Sequence, residues 1–358
     1  MPASHHDRLQ PSPAQAGRGN GRPTVLRRAP LPAARFTEIA AQVTAVLSGT
    51  CMAVQSRING ELGARTGDPA AAALVSFSVG LVIVAVLALV LPAGRRGTRR
   101  LVAGLRQRSL SAVFLASGVL GAFLVLVQTF TTPLVGVSVF ILGVVLGQAV
   151  GGLGVDRIGF GPGGVKPLTS WRIAGTAVIV GAVVLAESPR FVHETGRAAT
   201  AGVGVFVVML AFQVLAGAGT AAQTAMNGRM AQQAQTPITS TLVNFAGGTV
   251  ALAVTTVVFR SLADVPVWRL PGEWWLYLGG VAGLLFVAAG AVLVRIIGVL
   301  RTSLSLTAGM LTGALVLDLV VPTDGTVVAP LTVAGTALTF AGLVIVTLPW
   351  RWSTTTAG

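Results

Sequence analysis

Hydrophobic residues in this chain form long continuous runs and do not alternate with polar residues. Apolar runs of about 20 residues, separated by short polar or glycine-rich breaks, recur along nearly the whole sequence. Only helices and closed barrels satisfy backbone polar groups within lipid, and continuous runs favour helices. The pattern therefore predicts ten membrane-spanning helices, over residues 38–57, 69–91, 110–129, 133–154, 170–187, 202–225, 237–259, 274–294, 299–321 and 329–349.

A polar stretch that lies between two apolar runs occurs twice. Residues 55–77 and 223–245 align without a gap at an offset of 168 residues, with seven identities in 23 positions. Further glycines and an aspartate repeat at an offset of 162 residues, and the tetrapeptide AGTA repeats at an offset of 160. We therefore expect two halves of five helices in the same order, over 38–187 and 202–349, joined by a periplasmic loop at 188–201.

Because five is an odd number, the second half is expected to cross the membrane in the opposite orientation to the first. Lys and Arg are enriched in cytoplasmic loops, so their positions test this expectation. With the amino terminus inside, 19 of the 25 Lys and Arg residues fall in inner segments, six of them in a predicted loop at 92–109. The sequence thus predicts an all-α integral membrane protein, a ten-helix 5+5 inverted repeat with both termini cytoplasmic. Many secondary transporters share this architecture.

Composition agrees with a membrane protein and disfavours a soluble enzyme. Of the 358 residues, 53% are hydrophobic and 10% are charged, whereas a soluble domain carries about 25% charged residues. The 45 glycines match the small residues that let membrane helices approach closely. We therefore expect the lipid bilayer to be the main partner of this chain.

The formal net charge of +14 is partly concentrated at the amino terminus. Residues 1–37 are rich in Arg, Pro and Gly, so we expect a disordered cytoplasmic tail there, and a second, short tail at 350–358. The tail has no apolar segment before residue 39, so it does not resemble a cleavable signal peptide. Its arginines suit contact with anionic headgroups. We expect no nucleic acid partner, because no aromatic residues are interleaved with them.

Residue types that build catalytic or metal centres are scarce. The single cysteine, Cys51, lies in an apolar run, while His5 and His6 lie in the tail and His193 in the predicted connecting loop. A nucleophile–base pair or a zinc site cannot be assembled from these positions. We therefore expect no catalytic residues, no metal and no cofactor, and we do not expect an enzyme.

Two pairs of amide side chains are the first candidates for a substrate site. Gln55 and Asn59 are spaced i, i+4 and share one helical face, and Gln223 and Asn227 repeat the arrangement. Unpaired amides are costly in hydrocarbon, so each pair must face protein or water. Either the pairs line a central cavity and bind a polar substrate, or they hydrogen-bond the backbone where a following glycine ends the helix.

Four further polar residues lie within or beside predicted spans. Gln148 and Asn244 either join neighbouring helices through hydrogen bonds or line the pore. Asp318 is the only carboxylate away from the ends of a predicted span, and it serves either proton coupling or an ion pair near the interface. Arg295 either pairs with a carboxylate, binds an anionic substrate, or anchors its helix at the cytoplasmic interface.

The polar motifs resemble those of a known family. The pattern of a Gln in the first helix, N-G-x-L, a Pro and F-x-x-G in the second helix is similar to that of the YdcZ-like bacterial inner-membrane proteins. That family belongs to the drug/metabolite transporter (DMT) superfamily. In this chain the motifs are Gln55, Asn59–Leu62, Pro69 and Phe77–Gly80, followed by Gly147–Gln148, Asp156 and Gly159. The second half keeps most of them but has Met310 at the position equivalent to Gln148.

The resemblance covers residues 39–349 in two copies. It implies a location in the bacterial cytoplasmic membrane and export of a small metabolite or drug by alternating access, with the substrate unspecified. Family members with a single five-helix half pair as two chains, so this chain resembles a fused pair, and a homodimer of the whole chain stays open. The alternative function is a non-transporting scaffold or lipid-interacting protein. A polar central cavity favours transport, and a dry, tightly packed interior favours the scaffold.

Overall fold

The computed structural model describes residues 32–135, 137–201, 203–262, 270–321 and 329–347. Most of the predicted amino-terminal tail, and the whole predicted carboxyl-terminal tail, lie outside these ranges. The first helix begins at Pro32, ahead of the start predicted at residue 38.

The described part of the chain consists of helices joined by short connections. Eleven α-helices are present there, and single 3-10 turns precede α4 and α9. The helices are α1 Pro32–Thr66, α2 Pro69–Val90, α3 Pro92–Arg106, α4 Ser117–Val135, α5 Val137–Ile158, α6 Ser170–Ala201, α7 Val203–Ala234, α8 Pro237–Leu262, α9 Leu278–Ile297, α10 Val299–Val320 and α11 Pro330–Thr347.

Most of these helices are suited to cross a membrane. Among the described residues, eight helices are long and apolar enough to do so. Two shorter apolar helical segments, at Ala112–Gln128 and Ser170–Ala186, lie in the region of α4 and in α6. The prediction of an all-helical chain with many membrane-spanning segments is therefore confirmed in its general form.

Proline and glycine determine where several helices begin and end. Proline opens α2, α3, α8 and α11, because the first turn of a helix leaves its N–H groups without intrahelical partners. Asp68 precedes α2, and its carboxylate accepts a hydrogen bond from the Ala71 backbone N–H at 3.0 Å. A single residue, Gly298, separates α9 from α10 with a φ of +86°, a value that favours glycine.

Two connections that we predicted as loops are helical. The segment 92–109 contains α3, whose buried stripe is Gly94, Gly97, Leu101 and Gly104. Gly97 and Gly104 pack against the start of α8 and the end of α7, and Gly94 packs against Ala88 of α2. Small residues permit this close packing, but they do not form the apolar run by which a buried helix is predicted from sequence. The connecting segment 188–201 continues α6 to Ala201, with Pro189 inside the helix.

The helices pack in equivalent pairs in the two halves. Helix α1 packs on α10, and its repeat equivalent α7 packs on α5; α2 packs on α8, and α6 on α11. At the α1–α10 contact a Cβ on Gly49 would overlap the Leu306 carbonyl oxygen. At the α7–α5 contact a Cβ on Gly217, the residue equivalent to Gly49, would overlap the Val144 carbonyl oxygen. Glycine therefore sets the helix spacing at the same position of each half.

Polar contacts define one end of the bundle, called the Asp68 face. Arg65, at the end of α1, forms an ion pair with Glu273, which precedes α9. Arg260, near the end of α8, lies 3.7 Å from the Asp68 carboxylate. These pairs bring the α1–α2 connection, the end of α8 and the approach to α9 to one side of the protein.

The opposite end is called the Asp156 face. There Arg301, near the start of α10, lies 3.4 Å from Glu38 at the start of α1. Arg100 of α3 donates a hydrogen bond of 2.8 Å to Gln235 between α7 and α8. The α5–α6 connection after Asp156 also lies here. The distribution of Lys and Arg predicts that this face is cytoplasmic.

Candidate functional site

One cavity, called the large cavity, lies between α1, α4, α5 and α10. It has a volume of about 160 Å³. Its wall includes Met52 and Ser56 from α1, Gln148 from α5, and Met310 and Asp318 from α10. Because Ser56 and Asp318 stand in the last third of helices that end at the Asp68 face, the cavity occupies the half of the bundle nearer that face.

A second, much smaller cavity lies next to the first. Its volume is about 20 Å³, and its wall includes Gln223 and Asn227. Three residues, Thr220, Phe286 and Leu306, line both cavities and therefore separate them. Asn227 stands close to the end of α7, so the small cavity occupies the half nearer the Asp156 face.

The two cavities are built from repeat-equivalent positions. The residues that separate them have equivalents in the first half at offsets of 168 and 162 residues, and these equivalents line the large cavity. The equivalent pairs are Thr220 with Met52, Phe286 with Leu124, and Leu306 with Val144. The same positions thus surround a large space in one half of the bundle and a small one in the other.

Helix packing explains the difference in volume. Helix α7 packs against α9 beside the small cavity. The repeat-equivalent helices α1 and α4 flank the large cavity, and within the described residues they have at most marginal contact. The two halves therefore share their internal construction but differ in how closely these two helices approach.

Three amides form a buried cluster beside the small cavity. Gln223 Nε2 donates to Asn244 Oδ1 at 2.8 Å, and Asn227 Nδ2 donates to the same oxygen at 3.2 Å. All three side chains are at least 93% buried. A Cβ on Gly121 of α4 would lie 2.7 Å from Gln223 Nε2, so the cluster also fits closely against α4. The amides thus join α7 to α8 where α7 meets α4.

The equivalent amides of the first half have different surroundings. Gln55 packs against Gly283 of α9, and Asn59 packs against Gly279 of the same helix. A Cβ on either glycine would overlap the amide. Neither is among the residues that line the large cavity. Of the six amides selected from sequence, only Gln148 lies on the large cavity; it accepts a hydrogen bond of 3.0 Å from Thr307 Oγ1.

Asp318 lines the large cavity, and its side chain is 14% exposed. Arg57 Nη1 lies 3.8 Å from Asp318 Oδ1, and Arg57 Nη2 donates to the Val321 carbonyl at 2.5 Å. Arg295 is exposed in the last turn of α9 and lines neither described cavity. The two charged candidates therefore occupy separate places, and Asp318 is the one beside the cavity.

The repeat equivalent of Asp318 has a structural role. Asp156 is 3% exposed and accepts hydrogen bonds from the backbone N–H groups of Val299 and Leu300, at 3.1 and 3.3 Å. Its other partner is Arg172 at 2.5 Å. The carboxylate therefore caps α10 from a different helix and compensates the positive end of its dipole. Sequence spacing does not reveal this cap, because donor and acceptor are far apart along the chain.

Lys166 lies beside this cap, in the connection between α5 and α6. Its Nζ donates to the Ile297 carbonyl at 3.2 Å, directly over Gly298. Burial lowers the pKa of Lys166 below its ordinary value, and the nearby Asp156 carboxylate opposes that shift. The contact ties the α5–α6 connection to the sharp turn between α9 and α10.

Several cavity residues were missed from the sequence. Gln128, Phe140, Phe286 and Thr307 line the large cavity. Gln128, like Gln148, is an amide within an apolar run, so the sequence could have indicated it. The two aromatic residues are indistinguishable in sequence from ordinary lipid-facing or core residues. Only the packing of the helices assigns those aromatic residues to the cavity.

The fold and the cavity together define the class of protein, which is an all-helical, multi-pass membrane protein with an internal cavity between its repeated halves. A family model described as "Putative inner membrane exporter, YdcZ" matches residues 40–185 and again residues 208–345. The matches span most of the chain, so this protein belongs to that family of membrane exporters, with two copies fused in one chain. The resemblance identified from the sequence motifs is thereby confirmed.

No curated protein matches the sequence. Among solved structures, one described as "Crystal structure of protein" is similar over 87% of this chain and 98% of its own length. The TM-score is 0.52 and the sequence identity is 18%. At this identity the similarity supports the fold and carries no information about the substrate.

Proposed function

We propose that this protein is a secondary transporter that exports a small organic solute across the cytoplasmic membrane by alternating access. The observation that carries the proposal is the pair of cavities built from repeat-equivalent positions with volumes of about 160 and 20 Å³. In a carrier with two equivalent halves, each half can adopt the conformation of the other. The side of the membrane to which the site is open then changes. The direction of export rests on the family description.

The proposal includes ten membrane spans in a 5+5 inverted repeat, with both termini cytoplasmic. Helix α1 starts at the Asp156 face, where Glu38 meets Arg301, and ends at the Asp68 face. Its repeat equivalent α7 runs the other way, because Arg229 near its end donates to the Gly159 carbonyl beside Asp156 at 3.0 Å. Opposite directions of equivalent helices support an inverted repeat.

In the state described here, solute reaches the large cavity from the Asp68 face. Phe286 and Leu306 separate this cavity from the smaller one. In the alternative state, α1 closes against α4 and α7 separates from α9, so that Met52, Leu124 and Val144 become the barrier. The solute then leaves on the other side. No chemical step on the solute is required.

The scaffold alternative requires a dry, closely packed interior between the halves. The large cavity, with Ser56, Gln148 and Asp318 on its wall, favours transport instead. Both halves lie in one chain, so the proposed path needs no second copy, and a homodimer is not part of the proposal.

Repeat-equivalent cysteines test alternating access directly. Ser56 lines the large cavity, and its equivalent, Thr224, lines the small one. In a Cys51→Ala background in liposomes, Ser56→Cys is expected to react with a membrane-impermeant maleimide faster than Thr224→Cys. Conditions that slow the first reaction are expected to accelerate the second. Reactivities that rise and fall together across pH, ion gradients and added solutes contradict alternating access and favour the scaffold.

A further inference from the structure

Helix α3 has a basic face that the proposed transport cycle does not use. The buried stripe of α3 faces the protein, and Arg95, Arg96, Arg99 and Arg106 lie on the other side of the helix, where all four are exposed. Arg95 donates to the Leu89 carbonyl at 3.1 Å. The other three arginines have no hydrogen bond or ion pair to a described residue. Their guanidinium groups are therefore available to a partner.

The chain supplies no nearby carboxylate to neutralise this basic face. No Asp or Glu occurs between Asp68 and Asp156, although that stretch contains six arginines. The carboxylates described at the Asp156 face, Asp156 and Glu38, already pair with Arg172 and Arg301. Within the described ranges, the anion that neutralises the outer face of α3 must therefore come from another molecule.

The position of α3 places its basic face at the depth of the lipid headgroups. Helix α3 begins directly after α2, whose apolar span ends at Val90. Gly97 packs against Thr236, and Gly104, seven residues further along α3, packs against Gln233. Because Thr236 and Gln233 both belong to the junction of α7 with α8, α3 runs across the end of the bundle and does not descend along a membrane helix. Arginines at this depth extend their charged ends to the membrane surface.

The second half of the chain has no comparable basic segment. Six arginines and no carboxylate occupy residues 92–109, whereas residues 255–273, which lead from α8 to the next span, contain two arginines and two carboxylates. Two equivalent halves that alternate do not require a basic helix on one side alone. A partner that is present on one side of the membrane explains this difference. The Asp156 face is predicted to be cytoplasmic, and the cytoplasmic leaflet carries the negative surface potential.

We propose that α3 binds the headgroups of anionic phospholipids in the leaflet at the Asp156 face, through Arg96, Arg99 and Arg106. Arg96 and Arg99 are three residues apart and are neighbours on the helix surface, so both can bind one phosphodiester. The planar guanidinium group suits bidentate binding of phosphate oxygens. Arg106 lies on the same side two turns later and contacts a second phosphate. The exposed side chain of Val102, beside the arginines, packs against the lipid chains.

Fluorescence quenching at α3 tests this inference. The full chain, with Cys51→Ala and a fluorophore on Ala103→Cys, is placed in phosphatidylcholine nanodiscs; Ala103 is exposed on the arginine side of α3. Spin-labelled phosphatidylglycerol is expected to quench the fluorophore at lower mole fractions than spin-labelled phosphatidylcholine. The double variant Arg96→Gln, Arg99→Gln is expected to weaken association of phosphatidylglycerol by about 10- to 30-fold, the effect of two basic residues at an anionic surface. Association of phosphatidylcholine is expected to stay unchanged.

The matched control is the double variant Arg157→Gln, Arg295→Gln. Both arginines are exposed at the Asp156 face but lie outside α3, so this variant loses the same charge from the same side of the protein. It is expected to retain the preference for phosphatidylglycerol. Arg106→Gln alone is expected to weaken association by about fivefold, and it provides a second measurement if the α3 double variant does not fold.

Equal quenching by the two lipids, an undiminished preference in the α3 variants, or equal losses in the α3 and control double variants overturns the lipid site. Displacement of phosphatidylglycerol by inorganic phosphate or a single-stranded oligonucleotide, at an equal concentration of phosphate groups, assigns the basic face to a soluble anion and also overturns it. Transport plays no part in the measurement, so this inference and the proposed function succeed or fail separately.

Discussion

Phe77 of α2 and Phe245 of α8 pack against each other with ring centroids 5.2 Å apart and planes tilted by 40°. They are repeat-equivalent residues, separated by 168 positions. Each ring also covers a glycine of the opposite helix, Phe245 over Gly80 and Phe77 over Gly248. The contact is therefore reciprocal, as expected at a pseudo-two-fold axis between two halves.

This reciprocal contact predicts a steric effect of added methyl groups. A Cβ on Gly80 would overlap the Phe245 ring, and neither ring can move aside without displacing the other. Gly80→Ala and Gly248→Ala are each expected to lower the free energy of unfolding by about 1–3 kcal/mol, the usual range for overpacking. The thermal melting temperature of the purified protein measures the change.

Gly60→Ala is the control for this pair. Gly60 lies within α1, and no atom stands within 4 Å of an added Cβ. Alanine there is expected to stabilise the helix by up to about 1 kcal/mol. Equal effects of the three substitutions contradict close packing at the phenylalanines.

Asn227 and Asn59 are expected to stabilise opposite states of the transporter. Asn227 donates to Asn244 on the closed side. Ser76 is the equivalent of Asn244, and Ser76 Oγ and Asn59 Oδ1 have no hydrogen-bond partner in the described part of the chain. We expect them to pair when α1 closes against α4. Losing one buried hydrogen bond costs about 1–3 kcal/mol, enough to shift a two-state equilibrium about 5- to 150-fold.

The measurement is the reactivity of Ser56→Cys and Thr224→Cys in each asparagine variant. Asn227→Ala is expected to increase the reactivity at position 224 and decrease it at position 56, while Asn59→Ala produces the opposite change. If both alanine variants shift the two cysteines in the same direction, the asparagines serve only to pack their helices, which continue past Gly60 and Gly228 and do not end there as the sequence suggested.

The cap at Asp156 is expected to be a major source of stability. Asp156→Ala leaves the Arg172 guanidinium and two backbone N–H groups of α10 without their buried acceptor. Breaking a buried pair costs about 3–5 kcal/mol. Glu273→Gln removes the exposed pair with Arg65 and is expected to cost about 0–1 kcal/mol. Chemical unfolding in a fixed detergent compares the two, and equal losses contradict the assigned cap.

The distribution of basic residues predicts the orientation of the protein in the membrane. Arg96 is exposed on α3 at the Asp156 face, and Glu61 is exposed near the end of α1 at the Asp68 face. In whole cells of the Cys51→Ala background, Glu61→Cys is expected to react with an impermeant reagent, and Arg96→Cys is expected to react only after the membrane is made permeable. The reverse pattern places the termini outside.

The sequence by itself determined the helical membrane character, the repeat and most helix starts, but not the ends of α1, α6 and α7. These properties depend on local features. An apolar run must be helical in lipid, and Pro69 or Gly298 sets a helix boundary through the backbone conformation of the few residues around it. The repeated polar motif also identified the family, because its residues keep their spacing whichever way the helices pack. Helix α3 escaped this reasoning, since its docking stripe is three glycines and one leucine with no apolar run.

Only the tertiary structure decided which polar residues face the cavity and which half of the bundle is open. Gln55 and Gln223 occupy the same position of the repeat, yet only Gln223 lies on a described cavity. The physical reason is that a helix face is assigned by its neighbours, and the approach of α7 to α9 is not repeated by α1 and α4. Which helices approach each other closely depends on long-range packing across all the helices, and the local sequence of one helix does not record it.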